Sequence, residues 1–184
     1  YLYGDESCTG IVVISHGLGA GGDSYFAETL FFLQNGWKVL MLDNTGSYKS
    51  EGENTRGIAQ SLLDLDAALA FLRKERNPNS KPVVLYGHSW GGYAVAAVRP
   101  RHPEVKAAVS IAGFASPKAA LLDYAENKTG PLGVAAFPFF WGYHCLLFGQ
   151  DANISAVDSI NSTTKPVMVV HGTRSQTPRF NKRS

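Results

Sequence analysis

Five consecutive residues, Gly87-His88-Ser89-Trp90-Gly91, offer the most direct chemistry in the sequence. They set a serine inside Gly-x-Ser-x-Gly, after the strand-like run PVVLY (Pro82–Tyr86) and before a helix-like run carrying Ala94, Ala96 and Ala97. In that order, strand, sharp turn and helix hold a serine in a strained conformation with its hydroxyl clear of the sheet. The flanking glycines are required because larger side chains clash in so tight a turn. The following helix points its positive N-terminal end at the charge that develops during acyl transfer. A serine hydroxyl is a weak nucleophile alone, so the chemistry also needs a base and an acid to orient it.

A second glycine run competes for attention. HGLGAGG (His16–Gly22) places Gly17, Gly19 and Gly22 in a G-x-G-x-x-G spacing after a strand, with Asp43 at the end of the next strand. That arrangement is also the fingerprint of a dinucleotide site, with Asp43 on the ribose. Helix phase argues against it. A pyrophosphate site needs the helix to start within the glycine run, whereas the N-cap candidates, Asp23 or Ser24, follow the third glycine. Nucleotide binding through Gly17–Gly22 stands as an alternative function.

The elements that must position these motifs alternate between strand and helix. IVVIS (Ile11–Ser15) and KVLML (Lys38–Leu42) read as short strands, with a helix between them over Ser24–Gln34. Ile58, Leu62, Leu65, Leu69 and Leu72 recur at three- and four-residue steps and predict one amphipathic helix over Ile58–Arg76. The strands PVVLY, AAVSI (Ala107–Ile111) and PVMVV (Pro166–Val170) follow, the small-residue helix ending near Pro100. This alternation predicts an α/β fold with a mostly parallel central sheet and helices on both faces. Between Gly113 and Thr164 the alternation stops. The stretch is long, aromatic and interrupted by prolines (FPFFWGYHCLLFG), which suggests a lid or binding element over the sheet.

With these pieces in order, the chain resembles the α/β-hydrolase superfamily, near the serine hydrolases of the esterase, lipase and S33- or S9-like peptidase type. VVISHGLGA resembles the strand and His-Gly loop that supply one oxyanion donor. MLDNTGSYKSEG resembles the turn after the next strand, IAQSLLDLDAALAFLRKE the helix before the nucleophile, LYGHSWGG the nucleophile elbow, and KPVMVVHGT the late strand. The resemblance implies that Ser89 is the nucleophile and that the backbone amides of Trp90 and Leu18 are the oxyanion donors. It implies an α/β-hydrolase fold over residues 1–184, with 113–164 as a lid-like insertion. The implied activity is hydrolysis of ester, thioester or amide bonds through a seryl acyl-enzyme, without cofactor or metal. The substrate is expected to be a small molecule or peptide with an apolar group. A transferase on the same fold would differ only in the acceptor.

The resemblance also implies what is missing. The family order is serine, then acid, then histidine. Here Arg174 and Ser175 stand where the acid belongs, no carboxylate follows Asp158 and no histidine follows His171. His171 and His16 are expected to be structural, His88 to point away from Ser89, His102 to lie far from the elbow, and His144 to belong to the lid. Asp123, Asp151 and Asp158 are expected at the surface or as caps, and Asp43 in a turn. The expectation is therefore an incomplete member, truncated at both ends and impaired in turnover. A non-catalytic binding module on the same fold is the other alternative.

Composition narrows the remaining classes. The 184 residues, 45% hydrophobic and 17% charged, are those of an ordinary globular chain. A formal net charge of +2 gives no reason to expect nucleic acid or an anionic membrane as partner. The basic residues Lys165, Arg174, Arg179, Lys182 and Arg183 nevertheless crowd the end. Cys8 and Cys145 are too few and too far apart to predict a disulfide framework or zinc site. No apolar run is expected to span a membrane, PLGVAAFPFFWGY being short and broken. With no leader-like pattern at the start, a cytoplasmic location is the default.

Overall fold

The computed structural model describes residues 1–76 and 81–172. Arg174 and Ser175 lie outside the described residues. Six strands form one sheet in the order β1-β3-β2-β4-β5-β6: β1 (Leu2–Tyr3), β2 (Ile11–Ser15), β3 (Lys38–Met41), β4 (Val83–His88), β5 (Val105–Ile111) and β6 (Val167–Val170). Five are parallel. The short β1 pairs antiparallel with β3 and was not signalled by so brief a run.

Both faces of β2, β3 and β4 carry apolar residues, and both are covered. On one side Val12, Ile14, Val39 and Met41 pack with Tyr25, Phe32 and Leu33 of the α1 region (Phe26–Gln34). On the other, Ile11, Val13 and Leu85 pack with Leu62, Leu65 and Leu69 of α2 (Gln60–Phe71) and with the wholly buried α3 (Trp90–Ala97). Continuous apolar strands are what a doubly covered parallel sheet requires. Cover thins toward the β6 edge, where Met168, Val169 and Val170 are exposed.

One sequence expectation is corrected. Neither Asp23 nor Ser24 caps α1. Gly22–Tyr25 first form a tight helical turn, with Gly21 at its start and no side-chain cap, and α1 begins at Phe26. The proline-interrupted stretch is helical: α4 (Pro117–Tyr124), α5 (Gly130–Phe148) and α6 (Ala156–Asn161). Pro131 sits in the first turn of α5, where its missing N–H is harmless, and Pro138 lies inside the helix. The Ser116 and Ser155 hydroxyls cap α4 and α6. The run Pro117–Asn161 is long and apolar enough, by length and composition, to cross a membrane, which qualifies the expectation that no run reaches that length. Both cysteines are free.

Register aligns the chemistry. Ser15 stands opposite Gly87, and His88 opposite Ile111. The loops leaving β2, β4 and β5 therefore emerge side by side at one edge of the sheet.

Candidate active site

Ser89 is the single residue between β4 and α3. Its φ of 54° and ψ of −111° are unusual for a residue with a side chain, and such backbone costs on the order of 1–3 kcal/mol. The surroundings hold it there. The Ser89 N–H donates to the Ile111 carbonyl at 2.8 Å, and the Ser89 carbonyl accepts from the Tyr93 N–H at 3.0 Å. The two glycines are a packing requirement. A Cβ on Gly87 would come within 2.3 Å of the Gly91 carbonyl oxygen, and one on Gly91 within 2.0 Å of the Ser15 carbonyl oxygen.

The loop after β2 runs beside the serine: a Cβ added to Gly17 would meet Ser89 Cβ at 3.5 Å. Three side chains fix this loop. His16 Nε2 accepts from the Asn44 N–H at 2.9 Å, so Nδ1 carries the proton and donates to the Gly17 carbonyl at 2.8 Å. The Gly17 N–H donates to the Tyr25 hydroxyl at 3.1 Å, and that hydroxyl lies 2.9 Å from His88 Nδ1. Because C=O and N–H of a trans peptide point opposite ways, anchoring the Gly17 carbonyl on His16 turns the Leu18 N–H away from the imidazole. No described carbonyl accepts from the Leu18 or Trp90 amide. The Trp90 side chain is buried, with its Nε1–H donating to Ile58 O at 2.6 Å.

Leu18, Ser89 and Trp90 line one cavity of about 630 Å³, together with Ile58 and Phe114. The insertion supplies its far wall with Asp123, Tyr124 and Lys128. Asp123, expected at the surface or as a cap, lines this cavity. A second cavity of about 350 Å³ shares Ile58 and Tyr124 with the first and extends under α5, against Phe137, Phe140 and Leu147.

The elbow, its neighbouring loop and the sheet order find their match among known proteins. Residues 6–138 match the family described as serine aminopeptidase, S33. The chain belongs to this α/β-hydrolase family. Several solved α/β-hydrolases share its fold. An esterase from Pyrococcus furiosus aligns with a TM-score of 0.68 and 20% identity, over 96% of this chain and 66% of that one. A Butyrivibrio proteoclasticus protein solved with ferulic acid bound gives 0.67 and 16%, over 98% and 76%. A monoacylglycerol lipase from Paleococcus ferrophilus gives 0.61 and 21%, over 97% and 79%. The chain therefore spans about two thirds to four fifths of the length of these structures. No curated protein matches it.

In this α/β-hydrolase each histidine has a partner other than Ser89. His16 is fully buried between Asn44 and Gly17. His88 reaches back to Tyr25. His102 is held between Asp66 at 2.7 Å and Glu104 at 2.9 Å, beyond the far end of α3. His144 lies inside the lid, stacked on Trp141 and donating to the Ala152 carbonyl at 3.1 Å. Burial pushes its imidazole below its ordinary value, only partly offset by that carbonyl. His171 bonds the Gly113 carbonyl at 2.9 Å. Of the carboxylates, Asp151 pairs with Arg101, Asp43 accepts from the Gly22 N–H at 2.7 Å, and the Asp158 N–H is capped by Ser155. The dinucleotide alternative loses support from the same contacts. Gly17, Ala20 and Gly22 amides are already taken within the protein, and Asp43 closes the loop.

Sequence reasoning missed Tyr25, Asn44, Ile58 and Tyr124 as parts of this site. Ile58 carried a signal, as the first residue of the α2 stripe. The others act across separations that no local pattern records.

Proposed function

We propose that this chain presents the nucleophile half of a serine hydrolase site that acts on carboxylic esters, and by the same chemistry on thioesters or amides. Ser89 attacks the carbonyl carbon, and the Trp90 and Leu18 amides receive the oxyanion. The acyl-enzyme carries an apolar group that extends past Ile58 and Tyr124 into the cavity under α5. The observation that carries this reading is the backbone of Ser89, held at positive φ on the floor of a large cavity against Gly17. The ester chemistry named for the Pyrococcus esterase and the Paleococcus lipase supports the substrate class.

Turnover needs a base, and every histidine of the described residues is engaged elsewhere. We therefore expect the chain to hydrolyse p-nitrophenyl acetate at a rate barely changed by Ser89→Ala; loss of a base from a complete triad costs roughly six orders of magnitude. A large Ser89-dependent rate would overturn the impairment. The nucleophile itself is tested without turnover. Octylboronic acid should form a tetrahedral adduct, read by boron NMR, that Ser89→Ala abolishes. Absence of any adduct on the wild-type chain sinks the serine assignment and leaves the non-catalytic binding module.

A further inference from the structure

The outer face of α5 is apolar, uncharged and open. Gly130–Phe148 contains no Asp, Glu, Lys or Arg. Leu132, Phe139 and Leu146 are 83%, 81% and 82% exposed. Their seven-residue spacing sets them in one stripe along the helix, since seven residues fall about 20° short of two full turns. Phe140 and Tyr143, also well exposed, flank the stripe. Packing among the described residues does not explain these side chains, and isolated exposed apolar side chains, not continuous stripes, are the ordinary surface pattern.

The stripe is close to symmetrical about Phe139. Leu132 and Leu146 stand seven positions to either side, Ala135 and Tyr143 four, and Ala136 and Gly142 three. Laid antiparallel against its own copy, α5 would set Phe139 on the two-fold axis. Each Leu132 would then face the other Leu146, each Tyr143 an Ala135, and each Gly142 an Ala136. Large residues meet small ones or each other, and no like charges are brought together. A Cβ added at Gly142 would touch nothing, so the backbone there is free for close approach. An isologous contact of this kind is what a two-fold dimer requires.

We propose that this face pairs two copies of the chain through an antiparallel α5–α5 contact centred on Phe139. Three aromatic and two leucine side chains per copy supply on the order of 600 Å², approaching the ~800 Å² per partner of a standard interface. Phe140 and Tyr143 also line the lid cavity, so pairing closes its outer wall. The proposal is independent of the serine chemistry.

Sedimentation equilibrium of the full chain at micromolar concentration tests it. The wild-type chain is expected to be a dimer, and Phe139→Glu, which sets two carboxylates against each other on the axis, to weaken association at least about tenfold. Leu146→Lys should act alike, while Phe31→Glu on α1 should not. Circular dichroism checks that each variant is folded. In a Cys8→Ser, Cys145→Ser background, Phe139→Cys should cross-link to itself under mild oxidation, and Leu132→Cys should cross-link to Leu146→Cys rather than to itself. A monomeric wild-type chain overturns the proposal, as does a dimer indifferent to Phe139→Glu and Leu146→Lys. A monomer that binds phosphatidylcholine vesicles through Phe139 also overturns it and assigns the face to a lipid surface.

Discussion

Tyr25 joins the two halves of the candidate site through one oxygen. Its hydroxyl accepts from the Gly17 N–H and lies within hydrogen-bond distance of His88 Nδ1, bracing the loop before Leu18 against the residue before Ser89. Tyr25→Phe keeps the ring in the α1 core and leaves two polar groups without that partner. The loss is about 1–1.5 kcal/mol. If the loop is oriented as argued, it appears as roughly five- to tenfold weaker octylboronate binding, with a melting temperature lowered by only a few degrees. Equal affinity in a boron NMR titration would show that Tyr25 does not orient the loop. The strand–turn–helix around Ser89 and the loop after His16 were legible from sequence because each is local. Tyr25 was not, because its site partner His88 lies 63 positions away, and Asn44 was not, because its partner His16 lies 28 positions away. A residue whose role is to bridge two loops leaves no mark in either.

The elbow works only because β4, α3 and β2 approach until backbone meets backbone. At Gly91 the neighbour is the Ser15 carbonyl, which β2 cannot withdraw without losing its pairing to β4. Gly91→Ala is therefore expected to cost about 3 kcal/mol or more, read as a lower urea midpoint with circular dichroism lost earlier. A variant as stable as the wild type would mean that the turn is looser than this packing implies. The strands were legible because β-branched runs bounded by turns carry their own signal. The lid was not. Prolines at 131 and 138 read as breaks, yet one falls in the first turn, where it is tolerated. The other is carried inside α5, whose inner face is held by His144 and Phe148. Tertiary packing overrides local propensity there. The start of α1 was misplaced for a related reason: Asp23 and Ser24 have capping chemistry, but the chain spends those residues in a preceding turn.

Across the whole molecule, two groups of titrating side chains hold packed elements together, one within residues 113–164 and one between that segment and α2, and they lose their hold in different pH ranges. His144 sits inside the lid with its imidazole pushed below its usual 6.5 by burial. The unfolded chain takes up that proton first, so stability is fully present above about pH 6.5 and declines as pH falls below it. The second group ties the turn after α5 to α2. Arg101 bonds both Asp66 of α2 and Asp151 just after α5, while His102 bonds Asp66 and Glu104. Burial works against the charge on Asp66 and Glu104. Hydrogen bonds from His102, and for Asp66 also from Arg101, outweigh it and hold both carboxyls below their usual 3.8 and 4.5. Here the unfolded chain again binds protons first, so this contribution is present above about pH 4.5 and is lost as pH falls through the lowered folded values. The urea midpoint is therefore expected to fall in two steps on acidification, one beginning near pH 6.5 and one near pH 4.5. Each proton contributes at most about 1.4 kcal/mol per pH unit. His144→Gln, which keeps a donor for the Ala152 carbonyl, should remove the upper step alone. Asp66→Asn should flatten the lower step and leave the upper one in place. A midpoint that stays level between pH 7 and pH 5 in the wild-type chain would mean that His144 is not held neutral inside the lid.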